Sequence, residues 1–147
     1  MKRFETIDIS GDAGIRAFGR DLKELFINAA IGMFSLMTDL EDIRGEKEVE
    51  VSVEGGTLEG TIVSWLNELI FRFDAYGFIG KKIVMTEFLT REEPSKTKTY
   101  SIRASVAGEE FDTARHKGRL LIKAATYHKL TIEKKDGSWQ ADVIFDI

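Results

Sequence analysis

Hydrophobic residues recur at spacings of three and four over two stretches of the chain. Leu22, Leu25, Phe26, Ala29, Met33, Leu36 and Met37 form one apolar stripe, with Lys23, Glu24 and Asn28 on the other side. Leu58, Ile62, Trp65, Leu66, Leu69 and Phe73 form a second. Each stripe predicts an amphipathic helix, because 3.6 residues per turn bring such positions onto one face. Asp21, after Gly19-Arg20, and Thr57, after Gly55-Gly56, are the expected N-caps. Gly77 is the expected stop of the second helix.

Elsewhere the period becomes two. Val49, Val51 and Val53 alternate with Glu48, Glu50 and Glu54. Tyr100, Ile102, Ala104 and Val106 alternate with Thr99, Ser101, Arg103 and Ser105, and Trp139, Ala141, Val143 and Phe145 with Gln140, Asp142 and Ile144. Such runs predict strands with one buried face. Further strands are expected over Arg3–Ile9, Ile15–Phe18, Lys82–Phe88 and Thr131–Lys135, with a turn at Ser10–Gly14. Asp136-Gly137, between Thr131–Lys135 and Trp139–Phe145, predicts a hairpin, since both turn positions need φ > 0. Arg91–Lys98, which holds Pro94, reads as a polar connection between strands. The expected fold class is α+β, a single domain over residues 1–147. Two long amphipathic helices pack on one face of a largely antiparallel or mixed sheet. The strand–helix–strand order occurs twice, pointing to a duplicated unit.

Composition narrows the chemistry. A chain of 147 residues, 43% of them hydrophobic, supports one real core. The absence of cysteine excludes thiol nucleophiles, disulfides and cysteine zinc sites, and suits a reducing cytosol. A net charge of −4 argues against nucleic-acid binding through a global positive field, though not against a local patch. Met1–Glu5 has no apolar core of a signal peptide, and no apolar run reaches the ~18 residues of a membrane span. The expectation is a cytoplasmic protein without a membrane partner.

Three acidic groups stand out. The strand Trp139–Phe145 runs into the Asp146 side chain and the α-carboxylate of Ile147. Two anions one residue apart repel unless a cation lies between them, and hard divalent ions prefer such oxygens. Asp12 lies in a glycine-flanked turn, and would add a third anion if the fold brought it to the same place. Gly108-Glu109-Glu110-Phe111-Asp112 and the basic Arg115-His116-Lys117-Gly118-Arg119 read as a polar loop whose charges screen each other in solvent. His128 is a candidate base or ligand, against the commoner half-buried strand histidine. Ser10, Ser101 and Ser138 lack a paired His and acid at a recognisable spacing. Gly11 and Gly14 lack the lysine and the strand–loop–helix setting of a phosphate loop.

The chain resembles the archease family. The resemblance is carried by Asp12–Gly19, by Leu25-Phe26 with Ala29-Ala30, and by Trp65–Leu69. It continues through Gly108-Glu109 and Asp112, Lys123–His128, and the ending Val143–Ile147. It implies a non-catalytic accessory protein of tRNA splicing. The implied partner is the GTP-dependent RNA ligase that joins 3′-phosphate or 2′,3′-cyclic phosphate ends to 5′-hydroxyl ends. The accessory protein promotes its guanylylation and multiple turnover, with no stable direct nucleic-acid binding of its own. The resemblance also implies a metal site, with calcium the usual ion, held here by Asp12, Asp146 and Ile147. Lys123 takes the place of a lysine important for activation. Glu109, Asp112 and His128 join Lys123 as expected partner-binding residues. One position departs from the pattern: the family commonly has His-Thr-Ala-Asp, and Ile9-Ser10-Gly11-Asp12 has no histidine. The rival readings are a metal-dependent phosphoester hydrolase, with Asp12 and Asp146 as ligands and His128 as base, and a general chaperone-like scaffold.

Overall fold

The computed structural model describes residues 2–92, 94–95 and 97–147. In chain order the elements are β1 (Phe4–Ile9), β2 (Asp12–Gly19), α1 (Leu22–Met37), β3 (Lys47–Gly55), α2 (Leu58–Tyr76), β4 (Phe78–Glu92), β5 (Lys98–Glu110), β6 (Ala124–Ala125), β7 (Thr131–Lys135) and β8 (Ser138–Asp146).

The helix ends follow the sequence signals. Asp21 accepts a hydrogen bond from the Glu24 N–H, and Thr57 accepts one from the Gly60 N–H. These side chains satisfy amides that a helix start leaves without partners. Gly77, at φ 68°, closes α2 by donating to the Arg72 and Phe73 carbonyls. Asp136 and Gly137 take φ values of 50° and 81° in the β7–β8 turn, as the hairpin signal requires. The two strand-to-helix joints are built alike. Gly19 and Gly55 each stand two residues before a cap, and a Cβ on either would lie within 2.3 Å of Leu25 or Thr61 in the following helix.

The strands form two sheets, not one. One has the order β1-β2-β8-β6, with β7 also paired to β8; the other has the order β3-β5-β4. Every pairing among the described residues is antiparallel. Alternation shows that each strand has a buried face, but not which strands share a sheet, and this is why a single sheet was the simpler expectation.

Both helices touch both sheets: α1 packs on β1, β2 and β8 and on β4, while α2 packs on β3, β4 and β5 and on β6 and β7. Phe26, Met33, Trp65 and Leu66 are fully buried between them. The Trp65 indole N–H donates to the Phe26 carbonyl at 2.9 Å, tying the helices together. Because α1 faces two sheets, burial runs around it. Asn28, expected on the polar side, is 3% exposed, and its amide donates to the Phe18 carbonyl at 2.7 Å.

Three local boundaries differ from the sequence reading. The first turn is only Ser10-Gly11, so Asp12 lies in the ladder opposite Ile9. Gly108, Glu109 and Glu110 belong to β5 rather than to a loop. Arg91, Glu92 and Lys98 are strand residues, so the polar connection is shorter than Arg91–Lys98; its Glu93 and Lys96 lie outside the described residues.

Candidate metal site and the loop beside it

Strand register decides whether the acidic groups meet. β2 and β8 run antiparallel, with Ala13 opposite Phe145 and Gly14 opposite Ile144. One step further, Asp12 stands opposite Asp146. Directly opposed residues share a face, so both side chains project from the side away from the helices, where Cβ atoms lie ~5 Å apart. Asp12 is half-buried and Asp146 is exposed. On the far side of Asp146, Ala124 is its partner in β6, and the Lys123 N–H donates to the Asp146 carbonyl at 2.8 Å. Lys123, which is exposed, therefore reaches the level of Ile147.

The donor set suits a hard cation, since both side chains offer carboxylate oxygens. Among the described residues, no three His, Cys, Asp or Glu side chains come together to hold a metal. Ile9, opposite Asp12, contributes no donor atom from its side chain.

The same face carries a fixed ion pair that sequence reasoning missed. The Arg16 guanidinium donates to both Asp142 oxygens, at 2.7 and 2.9 Å, with Glu5 at 3.7 Å from it. This two-pronged contact clamps β2 to β8 two rungs beyond Gly14 and Ile144 and helps hold the register at Asp12. The alternation of β8 already placed Asp142 and Asp146 on one face, but pairing Arg16 with Asp142 required the register.

His128 is neither half-buried nor in a strand. It is exposed in a turn, and its N–H donates to the Thr126 hydroxyl at 3.3 Å. Thr126 bonds the Ile144 carbonyl and Thr131 pairs with Asp142, so His128 runs level with residues 142–144 rather than with Asp146. The ladder thus does not bring a base to the Asp12–Asp146 step.

The segment after β5 is not a solvated loop. Glu109 is 7% exposed and His116 is 3% exposed. The Glu109 carboxylate accepts from the Arg44 backbone N–H, from the Arg115 guanidinium and, at 3.3 Å, from His116 Nε2. His116 Nδ1 in turn accepts from the Asp112 N–H at 2.9 Å, which leaves the ring hydrogen on Nε2, facing Glu109. Glu109 is therefore engaged inside the molecule. It braces the loop from within, while Asp112 stays exposed with one oxygen accepting from the Ala114 N–H. Arg119 and Leu120 then bond the carbonyls of Met37 and Leu36, four and three residues before Lys123. The braced loop and the acidic step thus lie at one end of the molecule.

Burial pushes the Glu109 carboxyl up, but the hydrogen bonds from the Arg44 N–H and the Arg115 guanidinium, with the Arg115 charge, outweigh it and lower its pKa from 4.5 to about 2. A depressed folded-state pKa contributes stability that is complete above 4.5 and is lost as pH falls toward about 2. Wild-type protein should lose stability across that window in urea titrations, and Glu109→Gln should lose less over the same window. Equal slopes in the two proteins would remove Glu109 as the source.

The profile of the archease protein family (MTH1598/TM1083) matches residues 4–147. The archease of Methanosarcina mazei is 35% identical over 146 residues, covering 99% of this chain and 97% of that protein. The archease of Pyrococcus furiosus is 33% identical over 148 residues, covering both chains completely at 100%. The solution structure of protein 1598 from Methanobacterium thermoautotrophicum matches with a TM-score of 0.80 at 32% identity, covering 100% of each chain. An archease crystal structure from Thermotoga maritima, described as a possible chaperone, matches with a TM-score of 0.60 over 97% of this chain and 96% of that one. At 18% identity, that likeness speaks to the fold alone. A family match over nearly the whole chain, relatives above 30% identity and the same two-helix, antiparallel-sheet fold agree: this chain belongs to the archease family.

Proposed function

We propose that this protein is a calcium-binding, non-catalytic accessory protein of tRNA splicing that activates the GTP-dependent RNA ligase. It promotes guanylylation of that ligase and its repeated turnover in joining 3′-phosphate to 5′-hydroxyl RNA ends. The reading rests on family membership, and one observation supports it most: register sets Asp12 opposite Asp146 with Lys123 alongside. In this proposal the Asp12 and Asp146 side chains and the Ile147 carboxylate hold the ion. Bound calcium would supply a fixed positive charge at an acidic sheet end. Lys123 offers its ammonium to an anionic group of the partner, such as a nucleotide phosphate. The exposed Asp112, held by the Glu109 brace, lies on the same docking end. Contacts of this kind weaken with added salt.

The test is multiple-turnover ligation by the purified ligase with and without this protein. Wild-type protein should sustain turnover beyond one product per ligase. Lys123→Ala should bind calcium normally yet lose at least about tenfold in activation, the range for one positioned charge-assisted contact. Full activation by Lys123→Ala would take the lysine out of the proposal. Metal-dependent hydrolysis of simple phosphoesters by the protein alone would favour the hydrolase reading instead.

A further inference from the structure

The opposite end of the molecule has a different character. Gly19 pairs with Trp139 at one end of the β2–β8 ladder, and Asp12 and Asp146 lie at the other, seven rungs or ~23 Å away. At the Gly19 end, a cavity of about 760 Å³ lies between the N-terminal segment, the first turn of α1 and Ile83 of β4. Four cations line it, Lys2, Arg3, Arg20 and Lys23, against the two carboxylates Asp21 and Glu24. Both carboxylates are engaged: Asp21 caps α1, and Glu24 holds Arg20 at 2.9 Å. Lys2 is paired with Glu5 at 3.2 Å. Arg3 and Lys23 have no carboxylate partner among the described residues.

Arg3 is also aimed. Its Nε donates to the buried Asn28 Oδ1 at 2.9 Å, and Asn28 is fixed by donating to the Phe18 carbonyl. Among the described residues nothing bonds its terminal guanidinium nitrogens, whose fork geometry suits phosphate. This gives the buried Asn28, which the helix pattern alone would have left in solvent, a function in positioning Arg3.

A second cavity, of about 430 Å³, meets the first at Asp21 and Lys23. Its walls include the half-buried rings of Phe88 and Trp139. Lys134 stands over the Trp139 ring at 5.9 Å from its centre and adds another positive charge. A basic cavity beside an aromatic one, with an unpaired lysine between, matches a ligand with a phosphate at one end and a flat ring at the other. We infer that this groove binds a nucleoside phosphate unit, with the phosphate on Arg3 and Lys23 and the base against Trp139 and Phe88. Sequence-tolerant single-strand sites combine the same two elements, cations for the backbone and aromatic rings for the bases. The net charge of −4 is compatible with this, because the positive field is local. The inference goes beyond the proposed ligase role and uses none of its residues.

The ligand can be a free nucleotide or one unit of single-stranded RNA, and titration of the full-length protein separates the two. AMP, adenosine, inorganic phosphate and a single-stranded adenylate hexamer are compared by calorimetry. AMP should bind at least about fivefold more tightly than adenosine or phosphate, the scale of one base–aromatic contact or one phosphate contact. The Arg3→Gln, Lys23→Gln double variant should bind AMP at least about fivefold more weakly while keeping the wild-type circular dichroism spectrum, and Lys23→Gln alone, which breaks no internal contact, should weaken AMP in the same direction. AMP should also perturb tryptophan emission, and Trp139→Phe should abolish that change, since Trp65 is fully buried. A hexamer that binds more tightly than AMP with a steeper salt dependence identifies RNA as the source; equal affinity identifies the free nucleotide. The inference is overturned if neither AMP nor the hexamer binds at millimolar concentration. It is equally overturned if phosphate alone binds as well as AMP, or if the double variant binds AMP like the wild type. Each of these outcomes leaves calcium binding and ligase activation untouched.

Discussion

Replacing Asp12 and Asp146 together by asparagine should abolish measurable calcium binding while leaving the fold intact. Asparagine keeps the shape and one carbonyl oxygen, so the β2–β8 pairing can persist, but two negative charges are removed from the ligand set. Loss of an outer-shell partner alone costs metal affinity about 10–100-fold, so each direct ligand should cost no less. Both residues lie at the end of their ladder, half-buried or exposed, where a neutral side chain disturbs no core. A C-terminal extension should weaken binding as well, because it converts the Ile147 carboxylate into a peptide carbonyl and crowds the step. Calorimetric titration with calcium measures both effects. Unchanged affinity in the double variant would remove the ion from this end of the sheet. Unchanged affinity in the extended protein alone would remove only the terminal carboxylate.

Gly108→Ala should be the most destabilising single methyl group that can be added to this end of β5. A Cβ at Gly108 would lie 1.9 Å from the Ile79 carbonyl oxygen and 2.8 Å from the Gly80 Cα. Both neighbours are backbone atoms in β4, next to the register shift between Gly80 and Lys82, so no side chain can rotate away. Relief requires the strands to part beside the Glu109 brace. The expected cost exceeds about 3 kcal/mol, the upper end of ordinary overpacking. For a chain of this size that corresponds to a fall in Tm of roughly 6–12 °C or more. Gly56→Ala is the control, since nothing lies within 4 Å of its added methyl, and it should change stability by less than about 0.5 kcal/mol. Thermal melts of the two variants decide the matter. Similar Tm values would mean that β4 and β5 can separate at Gly80 without penalty.

The helices, their caps and most strands were legible because each is set by a local rule. Asp21, Thr57 and Gly77 act within a turn of their own positions, and Asp136-Gly137 fixes its hairpin without help from distant residues. What remained illegible depends on partners far away in sequence. Asn28 looked solvent-facing because α1 reads as a one-faced helix, and only the second sheet covers its other side. Glu109 and His116 looked like members of a screened polar loop. Both are buried and bonded to each other, and the Glu109 carboxylate also accepts from the Arg44 N–H, 65 residues earlier. In the sequence the convergence of Asp12 and Asp146 is conditional on the fold, and the β2–β8 register meets that condition. His128 is not the half-buried strand residue that its type suggests: a turn after β6 leaves it exposed.

Ile9, where the family resemblance leads one to expect a histidine, lies directly opposite Asp12. The chain keeps the two acidic side chains and Lys123 without the histidine. A calcium site made of these groups is built from oxygen donors only, so it should discriminate against zinc, which favours imidazole and thiolate.

The central claim is most directly tested by the rate at which the RNA ligase becomes guanylylated by GTP in calcium, with and without this protein. The account predicts a faster reaction with wild-type protein and no acceleration with the Asp12→Asn, Asp146→Asn double variant. Identical rates with and without the wild-type protein would contradict it.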